Sequence, residues 1–223
     1  PGECLLQDGL LTLSILDASL FVGTGASLDR ASGAVTLPGP NDTTAVGFSI
    51  TGGALDLGIF TATERSTDSG NNYAAITVTD AQKYTGIEAS LGVAELQGVD
   101  AVQLIATELV FKQNTTSVTA GALLDWTAGT LALAAVDIDP SNDPALQIGG
   151  AVGLSVADVV FASATVTMSR SDISGIADPD TTTAELLQGG LLTLSITEAS
   201  LFVGTGASLD RASGAVTLPG TNE

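Results

Sequence analysis

The stretch LLTLSILDASLFVGTGASLDRASGAVTLPGPND, Leu10–Asp42, returns almost letter for letter as LLTLSITEASLFVGTGASLDRASGAVTLPGTNE, Leu191–Glu223. The offset is a constant 181 residues, so that Leu5 matches Leu186 and Gly39 matches Gly220. Across Leu5–Asp42 five positions differ: Asp8/Gly189, Leu16/Thr197, Asp17/Glu198, Pro40/Thr221 and Asp42/Glu223. Two of the five keep a negative charge. Folding constraints alone do not preserve a sequence so literally, and the echo is read as duplication of a 181-residue unit. On this reading residues 1–42 end one copy and 43–181 are the middle of the unit. Residues 182–223 are the first segment met again, continuing into a further unit, and the chain is expected to be an internal piece of a longer one. The competing reading is a pair of similar hairpins closing one domain.

Working outward, alternation dominates. LLTLSI, GFSITG, AAITVTD and SATVTM swing between apolar and polar with period two, which is the strand pattern. Clusters such as PGPNDTT, DSGNN, DPSNDP and ADPDTTT separate the runs. Gly there accepts positive φ, and Asp and Asn bond to their own backbone. The best helical candidate, AQKYTGIEASLG at Ala81–Gly92, is weakened by Gly86.

A shorter motif recurs inside the long unit: an apolar residue, a polar or small one, an apolar one, then an acid or Ala, then more apolar positions. It starts at Leu13, Leu55, Ile76, Leu104, Leu131, Leu154 and Leu194, with VTLPG at Val35 in the same series and room for a weaker member around Ile173–Ile176. The steps are near 22 residues, about eight per unit. The expected fold is therefore all-β: a β-solenoid (β-helix) of about eight rungs per 181-residue repeat. Its rungs would be joined by parallel ladders about 4.8 Å apart, advancing about 38 Å per unit. A core rich in Leu, Val, Ile and Ala, with 4% aromatics, suits such stacking. The alternative is a tandem antiparallel β-sandwich, whose core would need the few large rings of Trp126 and the six Phe residues.

Composition narrows function. Twenty-five acids against 6 bases give a net charge of −19. That balance argues strongly against nucleic acid and anionic membrane as partners, since both need clustered Lys and Arg. A mean hydropathy of +0.40 excludes an acidic disordered chain. Cys4 is the one cysteine, so no intrachain disulfide forms, and its counterpart in the second copy is Glu185. No apolar run reaches the roughly 18 residues of a helical membrane span.

Runs such as LQGVDAVQLIATELVF (Leu96–Phe111) and LQGGLLTLSITEASLFVGTG (Leu187–Gly206), together with NNYAAITVTDAQ (Asn71–Gln82), carry a resemblance. In texture the chain resembles very large repetitive bacterial cell-surface proteins with β-strand repeats of adhesin-like type. The resemblance implies an extracellular or cell-surface location and a structural or adhesive role. It implies no catalytic residue.

The residues offer little chemistry. There is no histidine, which excludes Ser-His-Asp and Cys-His nucleophile systems and His-containing zinc sites. Lys83 and Lys112 are the formal candidates for a Ser–Lys pair. GTGASL at Gly23 lacks the third Gly of a dinucleotide loop and a following helix. The richest polar constellation is DIDPSNDP. There Asp137, Asp139, Asn142 and Asp143 supply the oxygen donors that calcium prefers, against the plainer reading of turn chemistry on an acidic surface. Asp172, Asp178 and Asp180 form a second, similar set. Asn41 and Asn114 each head a glycosylation sequon.

The expected function is a structural tandem-repeat segment of a giant extracellular bacterial fibre, stalk or sheath. It is not an enzyme and requires no cofactor, calcium aside. Its partners are neighbouring copies of the same repeat, joined covalently or end to end, with no nucleic acid and no membrane insertion. One alternative is an adhesin segment that binds glycans or cells through Tyr73, Tyr84 or Trp126. The other is a β-helical polysaccharide-active enzyme with two carboxylates on one groove.

Overall fold

The computed structural model of the chain describes residues 4–7, 9–39, 44–66, 82–118, 121–177 and 186–220. In chain order the elements are β1 (Cys4–Gln7), β2 (Leu10–Thr24), β3 (Ser27–Leu28), β4 (Val35–Thr36), β5 (Val46–Ser66), β6 (Gln82–Gln97) and β7 (Val102–Thr116). A 3-10 helix (Gly129–Ala134) follows, then β8 (Leu146–Val156), β9 (Val160–Ala177), β10 (Leu186–Val203), β11 (Ser208–Leu209) and β12 (Val216–Thr217).

The chain is all-β, as its alternation indicates. Eight strands form one sheet, ordered β1-β5-β6-β7-β8-β9-β10, with β2 beside β1 on the flank of β5. Strands β3 and β4 pair into a small hairpin, and β11 and β12 into another. Every described pair is antiparallel. This corrects the expectation of parallel ladders. The physical reason is connection length: β6 reaches β7 through Gly98–Ala101, and β8 reaches β9 through Ala157–Val159. Links that short can only reverse the chain, because a parallel partner needs a crossover of a dozen residues or more. The strands are also longer than rungs, up to 21 residues in β5. Among the described residues, the span from Leu10 to the start of its second copy holds six long strands (β2, β5, β6, β7, β8 and β9). The stretch Ala81–Gly92, the helical candidate, lies in β6 apart from Ala81, which is outside the described residues.

The recurring motif encodes something other than a rung. Its fifth residue is Asp17, Glu108, Ala135, Asp158 and Glu198 in the members starting at Leu13, Leu104, Leu131, Leu154 and Leu194. All five have positive φ, between 51° and 55°. Asp17, Glu108 and Glu198 sit where the ladder slips, at the shifts Ile15/Ala18, Thr107/Val110 and Thr197/Ser200. Asp158 turns β8 into β9, and Ala135 ends the 3-10 helix. The motif is thus a strand that runs into a bulge or turn. The members at Leu55 and Val35 lack the feature, and Ile76 is outside the described residues. A glutamate in the left-handed region costs roughly 1–2 kcal/mol that glycine avoids, less glycine's own chain entropy. Glu108→Gly should therefore stabilise the fold by about 0.5–1 kcal/mol in urea unfolding. A loss of stability would show that the Glu108 side chain is needed.

Cross-strand partners share a face. One row runs Ile15, Leu55, Ala89, Phe111, Ile148, Met168, Leu194 across seven strands, so one face of the sheet is apolar. The neighbouring row on the other face runs Ser14, Asp56, Glu88, Lys112, Gln147, Ser169, Thr193. The tight core lies on this second face, under a cover made by residues 121–145. Trp126 is fully buried there with Ala62, Tyr84, Ala134, Val136 and Ile138. Its indole lies flat on β5 and β6, where Gly58 and Gly86 leave room: a Cβ on Gly86 would stand 2.6 Å from Trp126 Cε2. The ring N–H donates to Asn114 Oδ1 at 3.1 Å, and Asn114 Nδ2 donates to the Leu124 carbonyl at 2.8 Å.

Candidate functional site

The duplicated segment occupies both ends of the sheet. Among the described residues, strand β2 is an edge strand paired with β5, and β10 is the opposite edge strand, paired with β9. Six successive antiparallel steps separate them, so the two copies run in the same direction. They also turn equivalent residues to the same face, since Ile15 and Leu194 (the copy of Leu13) share one row. Their partners therefore lie on opposite flanks of what is nearly one sequence.

Each copy of the strand is followed by the same hairpin, folded the same way. In the first, Ala31 N–H donates to Asp29 Oδ1 at 2.9 Å and Ser32 Oγ to Asp29 Oδ2 at 2.6 Å. In the second, Ala212 N–H donates to Asp210 Oδ1 at 3.0 Å and Ser213 Oγ to Asp210 Oδ2 at 2.6 Å. Gly33 and Gly214 close the turns with φ of 73° and 70°, a conformation suited to glycine. These bonds span at most three residues, so the sequence folds the hairpin without tertiary help. The Ser32 and Ser213 hydroxyl bonds, followed by the backbone N–H bonds, hold the Asp29 and Asp210 carboxyls below the ordinary value of 3.8. A depressed carboxyl contributes stability that is complete above its unfolded value and fades as pH falls through the folded one. The Ala31 and Ala212 amide resonances should hold from neutral pH down to about 3.8 and move only below it. Movement already at pH ~5 would contradict this assignment.

The surroundings of the two hairpins differ. The second docks on the sheet: Gly153 faces the Gly214 carbonyl and Leu209, so closely that a Cβ at Gly153 would stand 2.7 Å from Leu209 Cδ1. Thr107 Oγ1 donates to the Ser213 carbonyl at 3.1 Å, and Arg211 Nη2 lies 3.4 Å from Glu95 Oε2. Glu95 is in turn bonded by Gln97 Nε2 at 2.5 Å. In the first copy Leu28 and Val35 are 59% and 61% exposed. Beyond the hairpin the asymmetry reverses: Pro38 is buried and its copy Pro219 is exposed. The phenylalanines divide likewise. Phe202 packs against Phe161 of β9, ring centroids 6.4 Å apart, while Phe21 lies against Gly47 of β5, whose Cβ would stand 2.7 Å from Phe21 Cζ.

The DIDPSNDP loop turns its donors inward. Asp139 Oδ1 accepts from the Ser141 N–H at 2.9 Å and hydroxyl at 2.6 Å, and Asp139 Oδ2 accepts from Asn142 Nδ2 at 2.6 Å. Asp143 Oδ2 accepts the Asp139 N–H at 2.9 Å. The loop's cation is Lys112. Its ammonium donates to the Asp137 carbonyl at 2.5 Å, and stands 3.5 Å from Glu88 Oε1 and 3.7 Å from Asp143 Oδ1. Asp139, Asn142 and Asp143 thus form a self-capped turn, with the Asp137 carbonyl and the Asp143 carboxylate pinned by an ammonium. No cluster of three or more His, Cys, Asp or Glu suited to a metal occurs among the described residues.

Other sequence candidates also find structural roles. Trp126 is 0% exposed and Tyr84 is buried beside it, which corrects their candidacy as exposed glycan-stacking rings. Asn114 is 1% exposed with both amide atoms engaged, which corrects its candidacy as a sugar acceptor. Lys112 is committed to the acids, and Lys83 is exposed. GTGASL carries β2 into its hairpin, with Gly25 against Ala45. Asn41, Tyr73, Asp178 and Asp180 lie outside the described residues, as does the side chain of Asp172. Sequence reasoning missed the docking of Arg211, Ser213 and Gly214 on Glu95, Thr107 and Gly153. Its signal was a glycine in mid-strand, the usual mark of a close backbone approach. No family model, curated protein or solved structure matches this chain.

Proposed function

We propose that the chain is a structural segment of a long extracellular bacterial fibre, stalk or sheath, built from 181-residue units whose partners are further copies of themselves. The observation that carries this reading is the pairing of one duplicated strand: β2 holds β5 on one flank, and β10 holds β9 on the other. A strand whose two copies use opposite flanks belongs in the middle of a continuous sheet. The solenoid takes a revised form here, a twisted ribbon of antiparallel strands in which each unit adds six. The advance is then about 29 Å per unit at a strand spacing of about 4.8 Å, not the 38 Å of eight rungs. The function is mechanical, supplied by ladder hydrogen bonds, and the reading assigns no catalytic group and no cofactor. The surface location rests on the acidic, histidine-free composition and on the resemblance to repetitive surface proteins.

The test is length. Chains of one, two and four units, imaged by electron microscopy, should give particles that lengthen by about 29 Å per added unit. Separate compact beads of constant size would overturn the reading. Proteolytic shaving of intact source cells should release the protein. Retention inside protected cells would overturn the surface location.

A further inference from the structure

We propose that the strand and hairpin Leu10–Pro38, repeated as Leu191–Pro219, form a two-sided joint that grips the sheet behind it and the sheet ahead of it at once. The inference rests on the array reading and specifies what holds two units together. Each copy shows one half of the grip. The second copy shows the rearward half: Leu194 opposite Met168, Phe202 on Phe161, and the hairpin seated on Gly153, Thr107 and Glu95. The first copy shows the forward half: Leu13 opposite Leu57, Phe21 on Gly47, and Gly25 against Ala45.

The halves do not compete. The ladders use opposite flanks of the strand, and the hairpin grips rearward while Gly25, ahead of it, meets Ala45 on the forward side. In the hairpin and just after it, positions bare in one copy are covered in the other: Leu28 and Val35 are exposed where Leu209 and Val216 are half-buried, and Leu218 is 52% exposed where Leu37 is half-buried, while along the strand Leu13, Leu20 and Val22 are exposed in both copies. The occupant of the open flank of β10 is accordingly the Val46–Ser66 strand of a second copy. It enters in the register that β2 takes with β5, placing Leu194, Leu201 and Val203 opposite the second copy's Leu57, Ile50 and Phe48. The forward half brings no new chemistry, since the first copy already makes every one of these pairs.

The test compares the 223-residue chain with a two-unit chain, the full sequence followed by another copy of residues 43–223. In the single chain, alternate amides of Leu191–Val203, those turned away from β9, exchange as edge amides. In the two-unit chain they should slow by about 100-fold or more, while the amides facing β9 stay unchanged. A cross-link between Leu194→Cys and Leu57→Cys of the second copy, in a Cys4→Ser background, should form in that register. Amides that stay fast in the two-unit chain would overturn the joint, and the exchange measurement needs no substitution. A cross-link from Leu194→Cys to a Leu57→Cys placed in the first copy instead would mean that β10 had displaced β2 from β5, and would also overturn it. Slowed amides in chains that do not elongate under the microscope would retire the fibre and leave the joint standing.

Discussion

Trp126→Ala should destabilise the fold by about 3–5 kcal/mol, the usual cost of emptying a site that held a large buried aromatic. The ring has no exposed surface and lies between the 121–145 cover and the backbones of β5 and β6. Gly58 and Gly86 cannot refill the space, because neither has a side chain to move. Three contributions are lost together: the apolar contact with Ala134, Val136 and Ile138, the fit against two glycines, and the bond to Asn114 Oδ1. Trp126→Phe separates them. It keeps most of the apolar contact and leaves Asn114 Oδ1 without its donor, which should cost about 1–3 kcal/mol through the unmet acceptor and the lost ring volume. Urea unfolding followed by circular dichroism checks both variants. If Trp126→Ala were as stable as the parent, the cover would not be the core of the sheet. A cost for Phe equal to that for Ala would place the energy in the hydrogen bond.

Gly153→Val should undock the second hairpin and cost about 1–3 kcal/mol, as overpacking does. The first valine carbon would run into the Gly214 carbonyl, a backbone atom held by the turn around Asp210, so a side-chain rotation cannot make room. The hairpin must lift, taking Arg211 from Glu95 and Ser213 from Thr107. The turn itself should survive, since its bonds from Asp210 to Ala212 and Ser213 are local. The expected signature is specific. The Arg211, Ser213 and Val216 signals should come to match those of Arg30, Ser32 and Val35, which already occupy an undocked hairpin of the same sequence. Signals that stay distinct would show that docking survives. Loss of the Asp210 turn would show that docking, not local bonding, forms it.

The ladder direction was not legible in the alternation. Period two is the same for parallel and antiparallel strands, and an aliphatic row forms in either. The row from Ile15 to Leu194 does run across the sheet, with its neighbours reversed. The discriminating signal was the four residues Gly98–Ala101 between two strand patterns, too few for any return but a hairpin. The recurring motif was real, and its meaning was misjudged. Its fifth place, an acid in four of the five members with positive φ, marks a left-handed residue at a bulge or turn, and composition alone does not distinguish that from a rung. The bonding inside the acidic loop was not legible for a different reason. Counting carboxylates gives donors, but Asp139 uses its oxygens on its own loop, and Lys112, 25 residues upstream of Asp137, supplies the positive charge.

What the sequence by itself determined is whatever depends on residues a few places apart. That includes the alternating strands, the two Asp-capped hairpins that fold alike in different surroundings, the left-handed residues, and the 181-residue echo. What only the tertiary structure decided is which flank of the duplicated strand each copy uses, where the hairpin docks, and which aromatic rings are inside. The physical reason is that strand pairing and burial are fixed by neighbours far along the chain. The same letters at Leu10 and Leu191 therefore meet β5 in one place and β9 in the other.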